Sequence, residues 1–436
     1  MKLASKGFAI TFVNTHSIHH QTSKAANSSD KDDIFAAVRD SGLDIRYTTV
    51  SDGLPVEYDD QFMESLLHDM WRHAEEVIVK NSVPTVTCFI ADTFFVWASA
   101  IAQKFRLLWV SFWTEPALVF TLYYHMDLLR KNHHFDSTDT KKDPIDYIPG
   151  VEAIEPKDTA SYLQDTDTTT VVHEILNKMF HHVKDADFVL CNTVQEFEPH
   201  VIEALQLQQP FHAIGPLFPS GLTKGPVATS LWAESDCIQW LNSKPHGSVL
   251  YASFGSYAHI SKKDLTEIAN GLLLSNVSFV WVLRPDVVSS EDVDPLPVGF
   301  RQVVGDRGMI IHWCRQTQVL AHPAVGGFLT HCGWNSILES LWFKVPLLCF
   351  PLLTDQFTNR KLVVDDWKVG INLTNQTTII KEEVSENINR LMNEKLGDQL
   401  RIAMKGIHKK LEDAVSPNGS SQKNLEYFIN DLDLRK

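Results

Sequence analysis

Short apolar runs recur along the whole chain and alternate with amphipathic stretches, and this alternation limits the available folds more than any other feature. "FAITFVNT" (8–15), "VTCFIADT" (86–93), "LLWVSFW" (107–113) and "DFVLCNT" (187–193) are β-rich, bounded by turn residues and too short for buried helices. Stretches such as "FMESLLHDMWRHAEEVIVK" (62–80) between them carry a helical period. Strand and helix in alternation predict a doubly wound parallel sheet.

The alternation stops at "IGPLFPSGLTKGPVATSLWAESD" (214–236), where Pro and Gly are dense and no period holds, as in an inter-domain linker. It restarts with "GSVLYASFG" (247–255), "SFVWVLRP" (278–285), "GMIIHWC" (308–314), "VGGFLTHCG" (325–333), "VPLLCFP" (345–351) and "VGINL" (369–373). The predicted architecture is α/β, with two Rossmann-like doubly wound domains facing a cleft. Its parts are 1–213, a linker at 214–236, and 237–436 with the last helix packing back on the first domain. "VVSSEDVDPLPVGF" (287–300) reads as an exposed loop. A chain of 436 residues is long enough for two such cores.

A net charge of −15 without a basic block argues against nucleic acid or anionic membrane as partner. No run of eighteen apolar residues is present, so no membrane span is expected. The start, "MKLASKGFAITF", has too short an apolar run for a secretory signal. The six cysteines are scattered without a C-x-x-C pair, which fits a reducing, cytoplasmic setting.

"FLTHCGWNSILES" (328–340) crowds odd-shaped polar residues where a strand hands over to a helix. In such sheets ligands bind at the carboxyl ends of strands, and the following helix offers unpaired N–H groups that suit a phosphate. Gly333 lets backbone approach closely, while His331, Asn335 and Ser336 supply donors. A capped turn around a core histidine would use the same residues. "HWC" (312–314) brings an aromatic to a strand end, Glu339 follows one turn after Ser336, and "PLLTDQ" (351–356) pairs acceptors with donors. Base stacker, diol acceptor, phosphate donors and polyol binder together describe a nucleotide-sugar site.

From Trp313 to Gln356, "WCRQTQVLAHPAVGGFLTHCGWNSILESLWFKVPLLCFPLLTDQ" resembles the signature box of plant UDP-glycosyltransferases, with the 86A group the nearest in kind. "FVNTHSIHH", "RYTTVSDGLP", "IADTF", "FWTEPA", "YASFGS" and "WVLRP" extend the resemblance over the chain. It implies a GT-B-type fold and a monomeric enzyme that transfers glucose from UDP-glucose, with inversion, to a hydroxyl of a small apolar plant metabolite of secondary metabolism. By similarity Trp313 stacks on uracil, Cys314 offers backbone to the base edge, and Gln316 and Glu339 hold the ribose. His331, Asn335 and Ser336 bind the diphosphate, with Gly255 and Ser256 approaching from the neighbouring loop. Trp334, Asp355 and Gln356 hold the sugar, and Thr114 reaches it or the phosphate from the first domain. Asp92 orients the histidine that acts as general base. No metal or further cofactor is implied. Ordinary structural roles compete: turn residues for Ser256 and Thr114, core for Trp313, a cap for Asp355 and Asp92.

The sequence departs from the family in three places. Lys344 stands where Gly is usual, and Cys314-Arg315 replaces the commoner Ala or Ser followed by Pro. The resemblance also places a central strand and a Gly-His pair, with the base histidine, ahead of Met1. His16, His19 and His20 lie at the right end of the sheet but in acceptor-loop positions. His133-His134 and His181-His182 read as solvated, and His173-Glu174 lacks the second histidine of a zinc motif, with Asn at 177. Five or six buried apolar side chains of such a strand are worth about 10 kcal/mol, the scale of a whole domain's stability. The expected consequence is a weakened first domain and weak turnover, with a catalytically impaired nucleotide-sugar-binding protein or truncated isoform as the alternative. An NAD-linked oxidoreductase is disfavoured, because no G-x-G-x-x-G follows any strand.

Overall fold

The computed structural model describes residues 1–26, 33–52, 62–80, 86–217, 230–288, 294–393 and 395–435. Every strand pairing in it is parallel. β1 (Ile10–Thr15) and β2 (Ile45–Val50) form a two-stranded sheet. β3 (Cys88–Asp92), β4 (Leu108–Trp113), β5 (Phe188–Cys191) and β6 (Phe211–Ala213) form a second, in chain order. β7 (Val249–Ser253), β8 (Ser278–Val282), β9 (Gly308–Ile311), β10 (Val325–Thr330), β11 (Leu347–Cys349) and β12 (Gly370–Asn372) form the third, in the order β12-β11-β10-β7-β8-β9.

The apolar runs become strands because both faces of these sheets are covered. β5, β7, β10 and β11 are buried at every position, as continuous apolar runs require. β1 is different: Phe12 and Val13 are exposed, and among the described residues it pairs only with β2. The helix Ser420–Leu434 closes the chain against the second sheet, where Leu425, Phe428 and Leu432 share a core with Val110, Phe188 and Leu190. No described helix is long and apolar enough to cross a membrane.

Three local expectations need correction. The stretch 62–80 is two helices, Phe62–His68 and Met70–Lys80, broken at Asp69. The supposed exposed loop 287–300 is anchored at both ends, with Val287, Val288 and Leu296 buried; residues 289–293 lie outside the described residues, as do 218–229 of the linker stretch. Strands β2 and β6 were not expected at all.

Candidate active site

In the six-stranded sheet the order reverses between β10 and β7. That switch point opens a crevice at the carboxyl ends of the strands, the standard ligand position of an open α/β sheet. The loop after β7 brings Gly255 and Ser256 there, and the turn after β10 brings His331 and Gly333. The turn after β9 brings Trp313 to Gln316, and the segment after β11 brings Asp355 and Gln356.

His331 is held between two glycines. A methyl group placed on Gly255 would lie 2.5 Å from His331 Nε2, and one on Gly333 would lie at the same distance. Gly255 also has φ of 74°, a left-handed conformation that favours glycine. Burial, followed by the charge of Arg284, depresses the imidazole pKa to about 4, so the ring is neutral at pH 7. Gly333 is the N-cap of the ten-residue helix Trp334–Phe343 and makes no side-chain cap bond. The helix therefore presents free backbone N–H groups beside the imidazole. Asn335 and Ser256 are exposed at the rim, and Asn335 Oδ1 accepts from Asn192 Nδ2 at 3.3 Å.

A second group lies alongside. Gln316 Nε2 donates to Glu339 Oε2 at 2.7 Å and to Ser336 Oγ at 3.0 Å. The Tyr251 hydroxyl donates to Gln316 Oε1 at 3.2 Å and lies 3.7 Å from Cys314 Sγ. Burial raises the Glu339 pKa and the bond from Gln316 opposes the shift. Trp313 is half-buried against the core, and no other described aromatic ring stacks on it, which leaves a flat face for a heterocycle.

Farther along the crevice, Asp355 accepts from Thr354 Oγ1 at 2.8 Å and from Asn359 Nδ2 at 2.5 Å. Asn359 Nδ2 also donates to Cys332 O at 2.9 Å. Gln356 Oε1 accepts from the backbone of Leu352 and Leu353 at 2.9 and 3.0 Å. The acidic residues Asp92, at the end of β3, and Glu115, just beyond β4, approach from the facing sheet. Burial, then Asp355, then Asp92 push the Glu115 carboxyl well above its usual range. Burial raises Asp92 to about 6 against one backbone bond from Phe94. Thr114 is half-buried beside Glu115.

Trp334, expected to hold the sugar, has its side chain engaged elsewhere. Its indole is buried, donates to Asn192 O at 2.7 Å and packs against Trp367. The side chain joins the two halves of the molecule, so only its backbone remains for a ligand. Sequence reasoning also missed residues that act by holding others. Arg284 is buried, donates to the carbonyls of Gly255 and Ala258, and thereby fixes the loop that faces His331. The only available signal was an arginine closing an apolar strand. Asn192, Asn359 and Glu115 gave none. Ser161 and Thr354 exchange two hydrogen bonds across the cleft, at 2.9 and 2.8 Å.

Two facing parallel-sheet domains with a crevice at a switch point define the GT-B class of α/β transferases. A profile described as "UDP-glucoronosyl and UDP-glucosyl transferase" matches residues 222–417. UDP-glycosyltransferase 86A1 of Arabidopsis thaliana is 58% identical over 445 residues, covering 99% of this chain and 90% of that protein. UDP-glycosyltransferase 86A2 of the same plant is 59% identical over 446 residues, with the same coverage. Among solved structures, Os79 from O. sativa in complex with UDP superposes with a TM-score of 0.85 at 26% identity, covering 99% of this chain and 95% of that one. The chain belongs to the UDP-glycosyltransferase family.

Proposed function

We propose that this protein transfers glucose from UDP-glucose to a hydroxyl of a small apolar molecule, with inversion at the anomeric carbon. Residues 1–213 hold the acceptor, 237–436 hold the donor, and 214–236 join them. The observation that carries the reading is the His331 cradle between Gly255 and Gly333, set beside the bonded group Gln316, Ser336 and Glu339.

Trp313 stacks on uracil and the Cys314 backbone meets the base edge. Glu339 accepts the ribose hydroxyls, with Gln316 fixing its carboxylate. His331 donates to the diphosphate as a neutral ring, aided by Ser336, Asn335, Ser256, Thr114 and the helix N-terminus. Asp355 and Gln356 receive the sugar hydroxyls, together with the Trp334 backbone. In the reaction the acceptor oxygen loses its proton to a base and bonds to the anomeric carbon. The bond from that carbon to the phosphate oxygen breaks, and the departing UDP carries its charge onto these donors. Asp92 orients and charge-balances the base. The Os79 structure with UDP, at 26% identity, supports the nucleotide assignment.

A second reading, binding without efficient turnover, is favoured by one observation: Asp92 accepts only from Phe94, and no described histidine hydrogen-bonds it. His19 Nδ1 is engaged 2.8 Å from the Tyr47 hydroxyl. The test is a product assay with UDP-glucose and UDP-galactose over a panel of phenols and alcohols. The first reading predicts a β-glucoside by NMR and a preference for glucose. An α-glucoside, or equal use of both sugars, contradicts it, and UDP binding without product selects the second.

A further inference from the structure

The segment that enters the second domain is stitched to the turn carrying Trp313. Ser235 N–H donates to Trp313 O at 2.9 Å, and Glu234 pairs with Arg315 at 3.3 Å. Between these contacts the thiols of Cys237 and Cys314 are neighbours, both buried and close enough to shift each other's ionisation. Both thiols are free and line a cavity of about 350 Å³ with Glu234, Asp236, Arg315 and Gln318. We propose that Cys237 and Cys314 form a reversible disulfide on exposure to a hydroperoxide, and that this bond weakens nucleotide binding at the adjoining turn. The second clause rests on the donor-site reading above.

The contact with Cys314 lowers the Cys237 pKa, which favours its thiolate, while the same contact and burial raise that of Cys314. The Cys237 thiolate attacks the peroxide. An S–O bond forms, the O–O bond breaks, and an alcohol or water leaves. Cys314 sulfur then attacks Cys237 sulfur. Its proton leaves with the displaced hydroxide as water, so two thiols have given two electrons to the peroxide. Losing the Cys314 S–H disturbs the chain of contacts through Tyr251 and Gln316 to Glu339. Cys332 and Cys349 are a second neighbouring pair, but Cys332 Sγ is engaged with Thr330 O at 3.7 Å and neither thiol lines this cavity.

The whole protein is treated with hydrogen peroxide, alkylated, and peptide-mapped by mass spectrometry, with UDP calorimetry before treatment, after it, and after dithiothreitol. The expected result is a cross-linked Cys237–Cys314 peptide pair lighter by two hydrogens, with Cys332 and Cys349 still alkylated. UDP affinity falls about tenfold, the loss of one good contact, and returns with dithiothreitol. C237S binds UDP normally and ignores peroxide. Alkylation of both Cys237 and Cys314 after peroxide overturns the proposal, as does a cross-link that leaves UDP affinity unchanged. Failure of the reduced protein to bind UDP refutes the donor-site reading instead, and the peptide map still decides whether the disulfide forms.

Discussion

His331 Nε2 has open space beside it because Gly255 and Gly333 lack side chains, the space assigned above to a phosphate oxygen. A methyl at Gly255 would fall 2.5 Å from Nε2 and would also sit at positive φ. Gly255→Ala is therefore predicted to cost about 1 kcal/mol in stability and to reduce UDP affinity at least about tenfold, read by thermal unfolding and calorimetry. Asp92 makes a second case. Its folded pKa is raised to about 6, so its neutral form is the one the fold favours. That stability is full below the unfolded value near 4 and is lost as pH rises through about 6. Asp92→Asn should stabilise the protein by about 1–2 kcal/mol at pH 7.5, allowing for partial exposure to the cleft, and by almost nothing at pH 4. Thermal unfolding at both pH values checks this; equal effects would refute the raised pKa.

Among the elements, the helix Trp334–Phe343 decides most of the site. Its first turn faces the crevice, and its end shows why glycine is usual at position 344. Lys344 is the C-cap with φ of 61°, left-handed and exposed. Its chain has room in solvent; the cost lies in the backbone. Lys344→Gly should raise stability by about 1 kcal/mol with unchanged UDP affinity, and a lower melting temperature would contradict this account. The strands divide by what the sequence displays. Covered strands such as β7 and β10 are unbroken apolar runs and were legible. β2 was not, because Arg46, Tyr47, Thr48 and Thr49 leave it outside the apolar pattern and only half-buried. β6 has three residues, too few for any period. The break at Asp69 was hidden because the helical pattern resumes at once on the other side.

At the scale of the whole molecule, the parallel α/β architecture and the crevice were legible because parallel strands and helix N-termini leave local patterns. Contacts between the halves were not. Trp334 reaches Asn192 across 142 positions, and Thr358 reaches the Asp158 carbonyl across 200. Nothing in either local sequence announces the partner. That is why the place of the Trp334 indole in the interface went unseen, and with it Arg284, which works by gripping backbone carbonyls. Ser336 and Glu339, singled out by type and spacing, do come together, since both accept from Gln316 Nε2.

The account rests on a nucleotide-sugar gripped at the carboxyl ends of β7, β9, β10 and β11. The direct measurement is calorimetry of UDP with the unaltered protein and with Glu339→Ala. One-to-one binding is predicted, weakened about tenfold to a hundredfold when the ribose acceptor is removed. Binding that is indifferent to Glu339, or no binding by a folded unaltered protein, would contradict it.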